Sequence, residues 1–532
     1  MSEFFQQSIA ASRISMRRSS QTTPSTKPLV LAALVGSALA LAGCGSNYRP
    51  TTTPITPTGP SAQPTGYAFV VSKPSATATG VGTVVDYSGD TIMATAPVGP
   101  GPTMFALSSG GGQAWSLNSD GTLSNIPSTT SLQAKDVKYS TLRPYTGTDP
   151  VSALFFNSAG LYALDVNVNS DDTSKPIQSN IDVLSTATPS AFKLVVPVDE
   201  SPVTMVGVSG ASRLYAITQA IPFLSSFSLN GSAVDGGVAC NIDPYSVGVN
   251  GVADGFETST NTISSHIPLG VCPVYAVGSP DTRRVFVLNR GSDSITVINS
   301  QNNSLNSCAP GVNQNGQPYT CHPSLPLTPA PGKAHAGPVY AEYNQTTGQL
   351  VVSNYDGNTV SIIDVNLDQY GNDGPNFGTT YTVSVGNHPA SVTVLADGSR
   401  AYAANQSDST VSVINMVSHK VDKTLAVTGH PRTVVSIANS LYGKVYVASP
   451  DTPFVTIIRT DQDIISTSVL VQGNTVDVRI TTPDGTGGNI NNVSRQPGAG
   501  QPCNLPPESF TTAGASVTLA SCKIQDATLL AP

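Results

Sequence analysis

A proline followed by a strand of alternating apolar residues recurs along this chain. The phrase begins at Pro102, Pro150, Pro202, Pro273, Pro338, Pro389 and Pro431. The intervals are 48, 52, 71, 65, 51 and 42 residues, each long enough for four short strands and their turns. A period of about 50 residues with four strands per unit is typical of propeller blades. The repeat therefore predicts an all-β fold, a β-propeller of four-stranded blades.

A second phrase, consisting of a strand, a polar turn and a second strand, aligns without gaps in four of these units. It occupies Val285–Ser300, Leu350–Val365, Ala401–Met416 and Val445–Thr460. Asn289, Asn354 and Asn405 stand at the same place, where the first strand of the phrase enters the turn. Asn tolerates left-handed backbone and bonds the backbone locally. We interpret these residues as turn residues.

The two ends of the repeat region supply one further blade. Tyr67–Val98 contains three strands without an innermost one, and Asn474–Ile480 is an innermost-type strand with no followers. Pairing the two would close the ring and leave no open sheet edge. With the seven proline-led units, this predicts eight blades over residues 67–480.

Short motifs in these strands resemble the YVTN-type, YncE-like β-propeller repeats. The resemblance rests on Val445–Ala448 (VYVA), Thr410–Ile414 (TVSVI), Val383–Gly386 (VSVG) and the Asp397-Gly398 turn. It is strong over residues 285–470 and weaker over 67–284, and it extends to lactonase-like propellers and the haem d domain of nitrite reductases. The resemblance implies seven blades more often than eight, so seven is the alternative, with Pro202–Cys272 as the doubtful unit. Such repeats specify architecture rather than activity.

The N-terminus has the pattern of a bacterial lipoprotein signal over residues 1–43. Four basic residues precede a 13-residue apolar run, Leu29–Leu41, which is too short to span a bilayer. Leu41-Ala42-Gly43-Cys44 matches the lipobox, so we expect Cys44 to be acylated. The start codon could be Met1 or Met16.

Residues 44–66 are expected to form a Pro/Thr-rich disordered linker behind the lipidated cysteine, and residues 481–532 a loop-rich appendage. Gly45 permits sorting to the outer membrane. The chain has 25 basic and 33 acidic residues, of which the signal contains four and one. The rest of the chain therefore has a net charge of −11. An acidic protein has no field that attracts nucleic acid. We therefore expect a monomer bound to the bacterial cell envelope through its lipid alone.

Six cysteines remain after Cys44, and an even set in an exported protein indicates disulfides. Six cysteines allow 15 pairings. Sequence proximity favours Cys240–Cys272, Cys308–Cys321 and Cys503–Cys522, each closing an insertion or the tail. Metal binding is the alternative, but the chain contains no CxxC pair.

The residue before each repeat proline is expected near one mouth of the central channel, where propellers usually bind ligands. Neighbouring blades place His388 and His430 there, and Asp149 could face them across the opening, with Arg432 close by in sequence. Two histidines and a carboxylate could hold a divalent metal, the one cofactor considered. With Arg432 they could instead bind an anionic ligand. The alternative is that His-Pro is simply a favoured blade-entry turn.

The sequence contains no G-x-S-x-G, Walker or HExxH motif and no adjacent general acid and base. It therefore favours a non-enzymatic function, a binding or scaffolding module for an envelope protein, a peptide or a glycan. A lactonase-like hydrolase or isomerase with its site at the channel mouth is the alternative. The remaining histidines His266, His322 and His419 are expected in surface loops.

Overall fold

The computed structural model describes sixteen stretches of the chain, all within one compact unit, Ile55–Pro532. They are residues 67–87, 89–107, 114–120, 122–126, 138–141, 151–156, 160–167, 178–185, 191–208, 212–222, 226–229, 231–308, 320–436, 443–481, 508–512 and 515–519. The signal segment, Cys44, the linker, Asp149, Cys503 and Cys522 lie outside them. In the described part, no helix has the length and apolarity needed to cross a bilayer.

The first three blades contain the strands up to residue 198, each following its neighbour in the chain. Blade 1 has β1 (Tyr67–Lys73), β2 (Thr79–Asp86) and β3 (Ile92–Pro100). Blade 2 has β4 (Met104–Leu107), β5 (Ala114–Leu117), β6 (Thr122–Ile126) and β7 (Lys138–Thr141). Blade 3 has β8 (Val151–Phe156), β9 (Leu161–Asn167), β10 (Gln178–Leu184) and β11 (Phe192–Val198).

Blades 4 and 5 carry the insertions. Blade 4 begins with β12 (Pro202–Val208) and β13 (Arg213–Thr218). Its insertion holds β14 (Ser226–Leu229), β15 (Ser232–Asp235), helix α1 (Gly236–Ile242) and a 3-10 turn (Pro244–Ser246). The blade resumes with β16 (Asn250–Glu257) and β17 (Thr262–Val271). Blade 5 has β18 (Pro273–Gly278), β19 (Arg284–Asn289), a 3-10 turn (Arg290–Ser292), β20 (Ser294–Asn299), β21 (Ser304–Leu305) and β22 (Ser324–Pro326).

The last three blades are regular. Blade 6 has β23 (Pro338–Asn344), β24 (Gln349–Asn354), β25 (Thr359–Asp364) and β26 (Thr380–Ser384). Blade 7 has β27 (Pro389–Val394), β28 (Arg400–Asn405), β29 (Thr410–Asn415) and β30 (Lys420–Ala426). Blade 8 has β31 (Thr433–Ser436), β32 (Lys444–Ala448), β33 (Phe454–Arg459) and β34 (Ile464–Leu470). Then follow β35 (Asn474–Thr481) and a separate hairpin of β36 (Glu508–Thr512) and β37 (Ala515–Leu519).

The ring is an eight-bladed propeller closed by its two ends, as predicted. β35 pairs antiparallel with β1 and is the innermost strand of blade 1. The innermost strands β35, β4, β8, β12, β18, β23, β27 and β31 each contact the next, and β31 contacts β35. The Pro202–Cys272 unit is a complete four-stranded blade. The seven-blade alternative is therefore wrong.

Burial falls from the innermost strand outward, which explains the sequence pattern of each blade. In blade 7 all of β27 is buried, whereas β30 buries only Leu425. The three inner strands lie between neighbouring blades on both faces, so they read as continuous apolar runs. The outermost strand faces solvent and needs few apolar residues.

The repeated asparagines do not act as the turn residues that the sequence suggested. Asn289, Asn354 and Asn405 are fully buried. Their side-chain amides donate to Thr296, Ser361 and Ser412 of the third strand, at 2.9, 2.8 and 2.9 Å. The amide N–H groups therefore link the second strand to the third inside the blade.

Both predicted disulfides that fall on described residues are present. Cys240 is bonded to Cys272, and Cys308 to Cys321. Cys240 and Cys272 belong to a small apolar core with Ile221, Leu229 and Val247. This core fixes the blade 4 insertion to the entry of blade 5.

Candidate functional site

One face of the propeller carries the residues before the entry prolines together with the turns between second and third strands. We call it the mouth face. Ser201, Cys272 and His388 precede their prolines with φ of 52°, 48° and 53°, in the left-handed region. Their carbonyls accept the N–H that follows the second strand of the same blade, from Gln219, Arg290 and Gln406 respectively. The pre-proline residue thus occupies a repeated turn that ties each blade entry to its own second strand.

His388 lies at this turn in blade 7, as the sequence suggested. Its Nδ1 is 2.7 Å from the Ser407 hydroxyl, and its ring stacks on Tyr355 of blade 6 with centroids 4.5 Å apart. Its N–H donates to the Asn358 side chain at 3.1 Å. His388 therefore joins the mouth-face turns of two blades.

His430 and Arg432 lie at the entry of blade 8 and are buried. The Nδ1 of His430 is 2.7 Å from Asp451 Oδ2, and its N–H donates to Asp451 Oδ1 at 2.9 Å. The N–H of Arg432 donates to the Ala448 carbonyl. His388 and His430 are thus each bonded through Nδ1 within their own blades. A shared metal or ligand site for them, with Asp149, stays a prediction.

A different set of residues comes together beside His388 around the carboxylate of Asp356. Arg290 donates from Nε and Nη2 to the two carboxylate oxygens, both at 2.8 Å. The Tyr245 hydroxyl, from the blade 4 insertion, donates to Oδ2 at 2.6 Å. One carboxylate therefore joins the insertion, the blade 5 turn and the blade 6 turn.

Stacked rings extend this cluster across the mouth face. Tyr245 stacks on His335 with centroids 3.4 Å apart, and His335 Nδ1 is 2.9 Å from Asp293 Oδ2. The Arg290 guanidinium lies 5.5 Å from the centroid of Tyr355, within cation–π range. We call the whole set the mouth network; its members are Tyr245, Arg290, Asp293, His335, Tyr355, Asp356 and His388.

Arg290 and Asp356 balance each other's charge within the network. Burial alone would raise the pKa of Asp356, but the Arg290 charge and its hydrogen bonds hold that pKa below its usual range. Burial, followed by the Asp356 charge, raises the pKa of the Tyr245 phenol. At neutral pH the surface therefore presents a neutral phenol and a charge pair that neutralises itself.

Buried polar groups also line the innermost strands. Arg479 Nε donates to Asp477 Oδ2 at 2.8 Å, and the Tyr275 and Tyr340 rings lie 4.6 Å apart. Glu342 Oε1 accepts the N–H of Val394 at 3.1 Å, which links blades 6 and 7. The Tyr275–Tyr340 and Glu342–Val394 contacts join neighbouring blades on the inside of the ring.

The sequence reasoning missed Arg290, Tyr245 and Asp356. Arg290 and Asp356 follow the aligned asparagines by one and two residues, so their mouth-face position could be read from the repeat. Tyr245 has no such signal, because the insertion falls outside the repeat.

No protein-family model and no curated protein matches the chain. Among solved structures it is similar to apo AztD from Citrobacter koseri, with 13% identity, a TM-score of 0.47 and coverage of 78% of this chain and 98% of that one. It is also similar to the dihydro-heme d1 dehydrogenase NirN in complex with DHE, with 13% identity, a TM-score of 0.47 and coverage of 84% and 80%. The Kuenenia stuttgartiensis hydrazine synthase gives 16% identity, a TM-score of 0.40 and coverage of 68% and 98%. The propeller assignment rests on the eight blade sheets and the closed ring that they form.

Proposed function

We propose that this chain is a lipid-anchored binding module of the bacterial envelope, whose mouth network receives a peptide, protein segment or glycan. The observation that carries the proposal is the Tyr245–His335 stack held on the Asp356–Arg290 pair. Aromatic rings fixed by hydrogen bonds bind at low entropic cost, and tyrosine is enriched in binding surfaces for this reason. Both rings are half-buried, which leaves part of each in solvent.

The charge balance favours a neutral or mildly polar ligand. Arg290 and Asp356 satisfy each other, so neither offers a strong field to a phosphate or an ammonium group. A sugar face or an aromatic side chain could stack on such rings without removing an unpaired charge from water.

The test is a glycan array and a random-peptide library probed with the full chain, followed by titration of each hit. The Tyr245→Ala variant removes the stacked ring of the mouth network. The Tyr381→Ala variant is the matched control, because Tyr381 also stacks on a histidine, His419, but on outer strand β26. We expect at least tenfold weaker binding for Tyr245→Ala alone. Equal affinities in the two variants would reject the mouth network as the site.

The envelope location is a separate part of the proposal. It is supported by the lipobox ending at Cys44 and by two disulfides, which form in oxidising compartments. Detergent-phase partition of the protein expressed in bacteria tests it. Cys44→Ala should move the protein to the aqueous phase; unchanged partition would contradict acylation.

The second candidate, a lactonase-like hydrolase or isomerase, is favoured by one arrangement. His430 Nδ1 meets the buried Asp451 carboxylate at 2.7 Å, which is how a general base is commonly oriented. A panel of lactones assayed with wild type and Asp451→Asn decides this. Turnover that falls at least a hundredfold in the variant would favour the enzyme.

A further inference from the structure

Three potential metal ligands meet at the seam between blades 3 and 4, away from the mouth network. Asp254 of β16 and His266 of β17 are direct partners in the antiparallel register, so their side chains share one face. Asp199 follows β11, the outermost strand of blade 3, and its N–H donates to Asp254 Oδ2 at 2.7 Å. His266 lies in a strand, so the expectation that it belongs to a surface loop is wrong.

The spacing of the three ligand atoms fits one small ion. His266 Nδ1 is 2.6 Å from Asp254 Oδ1 and 3.3 Å from Asp199 Oδ2. All three ligand atoms lie within 4.8 Å of one another. Two ligands bound to one zinc-sized ion at about 2.05 Å are about 2.9 Å apart at right angles and about 3.3 Å apart at the tetrahedral angle. The 3.3 Å separation matches the tetrahedral value, and the 2.6 Å separation is shorter than the right-angle value.

The buried carboxylate has an oxygen that the protein leaves unsatisfied. The Asp254 side chain is fully buried, and its Oδ1 has no hydrogen-bond partner among the described residues. His266 Nδ1 lies 2.6 Å from this oxygen, and the two form an ion pair when the imidazole is protonated. Burial raises the pKa of Asp254 above its usual range. When the imidazole is neutral, the buried carboxylate charge is costly, and a bound cation would remove that cost.

The repeat shows that a carboxylate replaces a hydroxyl at this position in blades 3 and 4. Asp254 stands opposite Ala216, in the register position held by Thr296, Ser361 and Ser412 in blades 5, 6 and 7. There the hydroxyl is bonded by the asparagine of the second strand. In blade 4 the asparagine position is Thr218, whose hydroxyl donates to the Val252 carbonyl instead. Blade 3 also has a carboxylate at this position, Asp182 opposite Ala163, but its partner on the outermost strand is Val195, where blade 4 has His266.

We propose that Asp199, Asp254 and His266 bind one divalent transition-metal ion of the zinc type. One imidazole nitrogen and two carboxylate oxygens suit such ions better than Ca²⁺ or Mg²⁺, which prefer oxygen alone. His266 is 64% exposed and Asp199 41% exposed in their side chains. The ion can therefore enter from solvent, and water would complete its coordination. It would also join two blades at their outer edge.

The experiment is calorimetric titration of Zn²⁺ into the full chain after metal removal with a chelator. His266→Ala and Asp199→Asn change exposed ligands, so both variants should fold, which thermal melting checks. His322→Ala is the matched control. His322 Nδ1 also lies 2.9 Å from a buried aspartate, Asp373, but Asn306 donates to both oxygens of that carboxylate.

We expect one Zn²⁺ per chain and at least tenfold weaker binding in His266→Ala and Asp199→Asn, with His322→Ala unchanged. Absence of saturable binding to the wild type would overturn the proposal. Binding that survives both ligand variants would also overturn it. If that binding disappears in the His388→Ala/His430→Ala variant, the ion belongs to the channel mouth instead.

Discussion

Replacing Arg290 by methionine should destabilise the whole propeller. Arg290 lies in the turn after β19, and its side chain is only 4% exposed. Methionine keeps the length of the side chain and removes the charge and both hydrogen bonds to Asp356. The carboxylate then keeps the Tyr245 hydroxyl as its remaining described side-chain donor.

The size of the effect follows from the burial of each partner. Removing one partner of a buried ion pair costs about 3–5 kcal/mol, because the other charge is left uncompensated. Asp356 is 23% exposed, so water compensates it in part, and we expect about 3 kcal/mol for Arg290→Met. Asp356→Asn leaves the more deeply buried guanidinium alone and should cost more, about 4 kcal/mol. The double variant should cost about 2 kcal/mol less than the sum of the two.

Urea unfolding followed by tryptophan fluorescence measures these values. Trp115 is the only tryptophan of the chain and is fully buried in blade 2, so it reports on the ring rather than on the local turn. Arg283→Met is the control, because its pair with Asp281 is long (4.0 Å) and exposed and should be worth less than about 1 kcal/mol. Single variants as mild as this control, with no coupling between them, would refute the reasoning.

Three further outcomes are expected. A chain ending after Thr481 should fold, whereas one ending after Gly473 loses β35, with three buried apolar side chains worth about 1.5–3 kcal/mol each, and should aggregate. Size-exclusion chromatography compares the two chains, and equal behaviour would contradict ring closure. Cys240→Ser/Cys272→Ser removes a disulfide between residues 32 positions apart, so local unfolding of the insertion should become easier by up to about 4 kcal/mol. Limited proteolysis detects this as cleavage within residues 231–250, and unchanged digestion would count against it. Because the folded-state pKa of Asp356 is lowered, its stabilising effect is present above about pH 4 and is lost as the pH falls below that value. The urea midpoints of the wild type and Asp356→Asn should therefore converge on acidification. A constant difference between the two midpoints would contradict this prediction.

The architecture was predictable because its determinants are local. Alternating apolar residues after Pro338 or Pro389 describe a strand that contacts neighbours on both faces, and the same pattern recurs once per blade. Ring closure was predictable by elimination, since residues 67–98 lack an innermost strand and 474–480 lack outer ones. Each of these inferences needs only the period of the sequence, which can be read without knowledge of distant contacts.

The mouth network could be predicted only in part. His388 was placed correctly at the blade entry, because the proline after it marks that position. The bond from Tyr245 to Asp356 spans 111 residues and begins in an insertion with no counterpart in other blades. The asparagines show a related limit, because the chemistry that suits Asn289 to a turn also suits it to a buried bond with Thr296. Propensity alone does not distinguish the two.

The candidate metal site of Asp199, Asp254 and His266 depends on contacts between strands that the repeat alone does not determine. In a propeller each register position recurs in every blade, so one blade predicts the chemistry of the next. Asp182 of blade 3 and Asp254 of blade 4 have a carboxylate where Ser361 and Ser412 have a hydroxyl. The insertion between β13 and β16 conceals this in the sequence, since it separates Thr218 from the strand that Thr218 pairs with. Once the register is known, blade 4 differs from blade 3 in its outermost strand, because His266 is the partner of Asp254 whereas Val195 is the partner of Asp182. The imidazole of His266 and the neighbouring Asp199 therefore point to a ligand and indicate which kind.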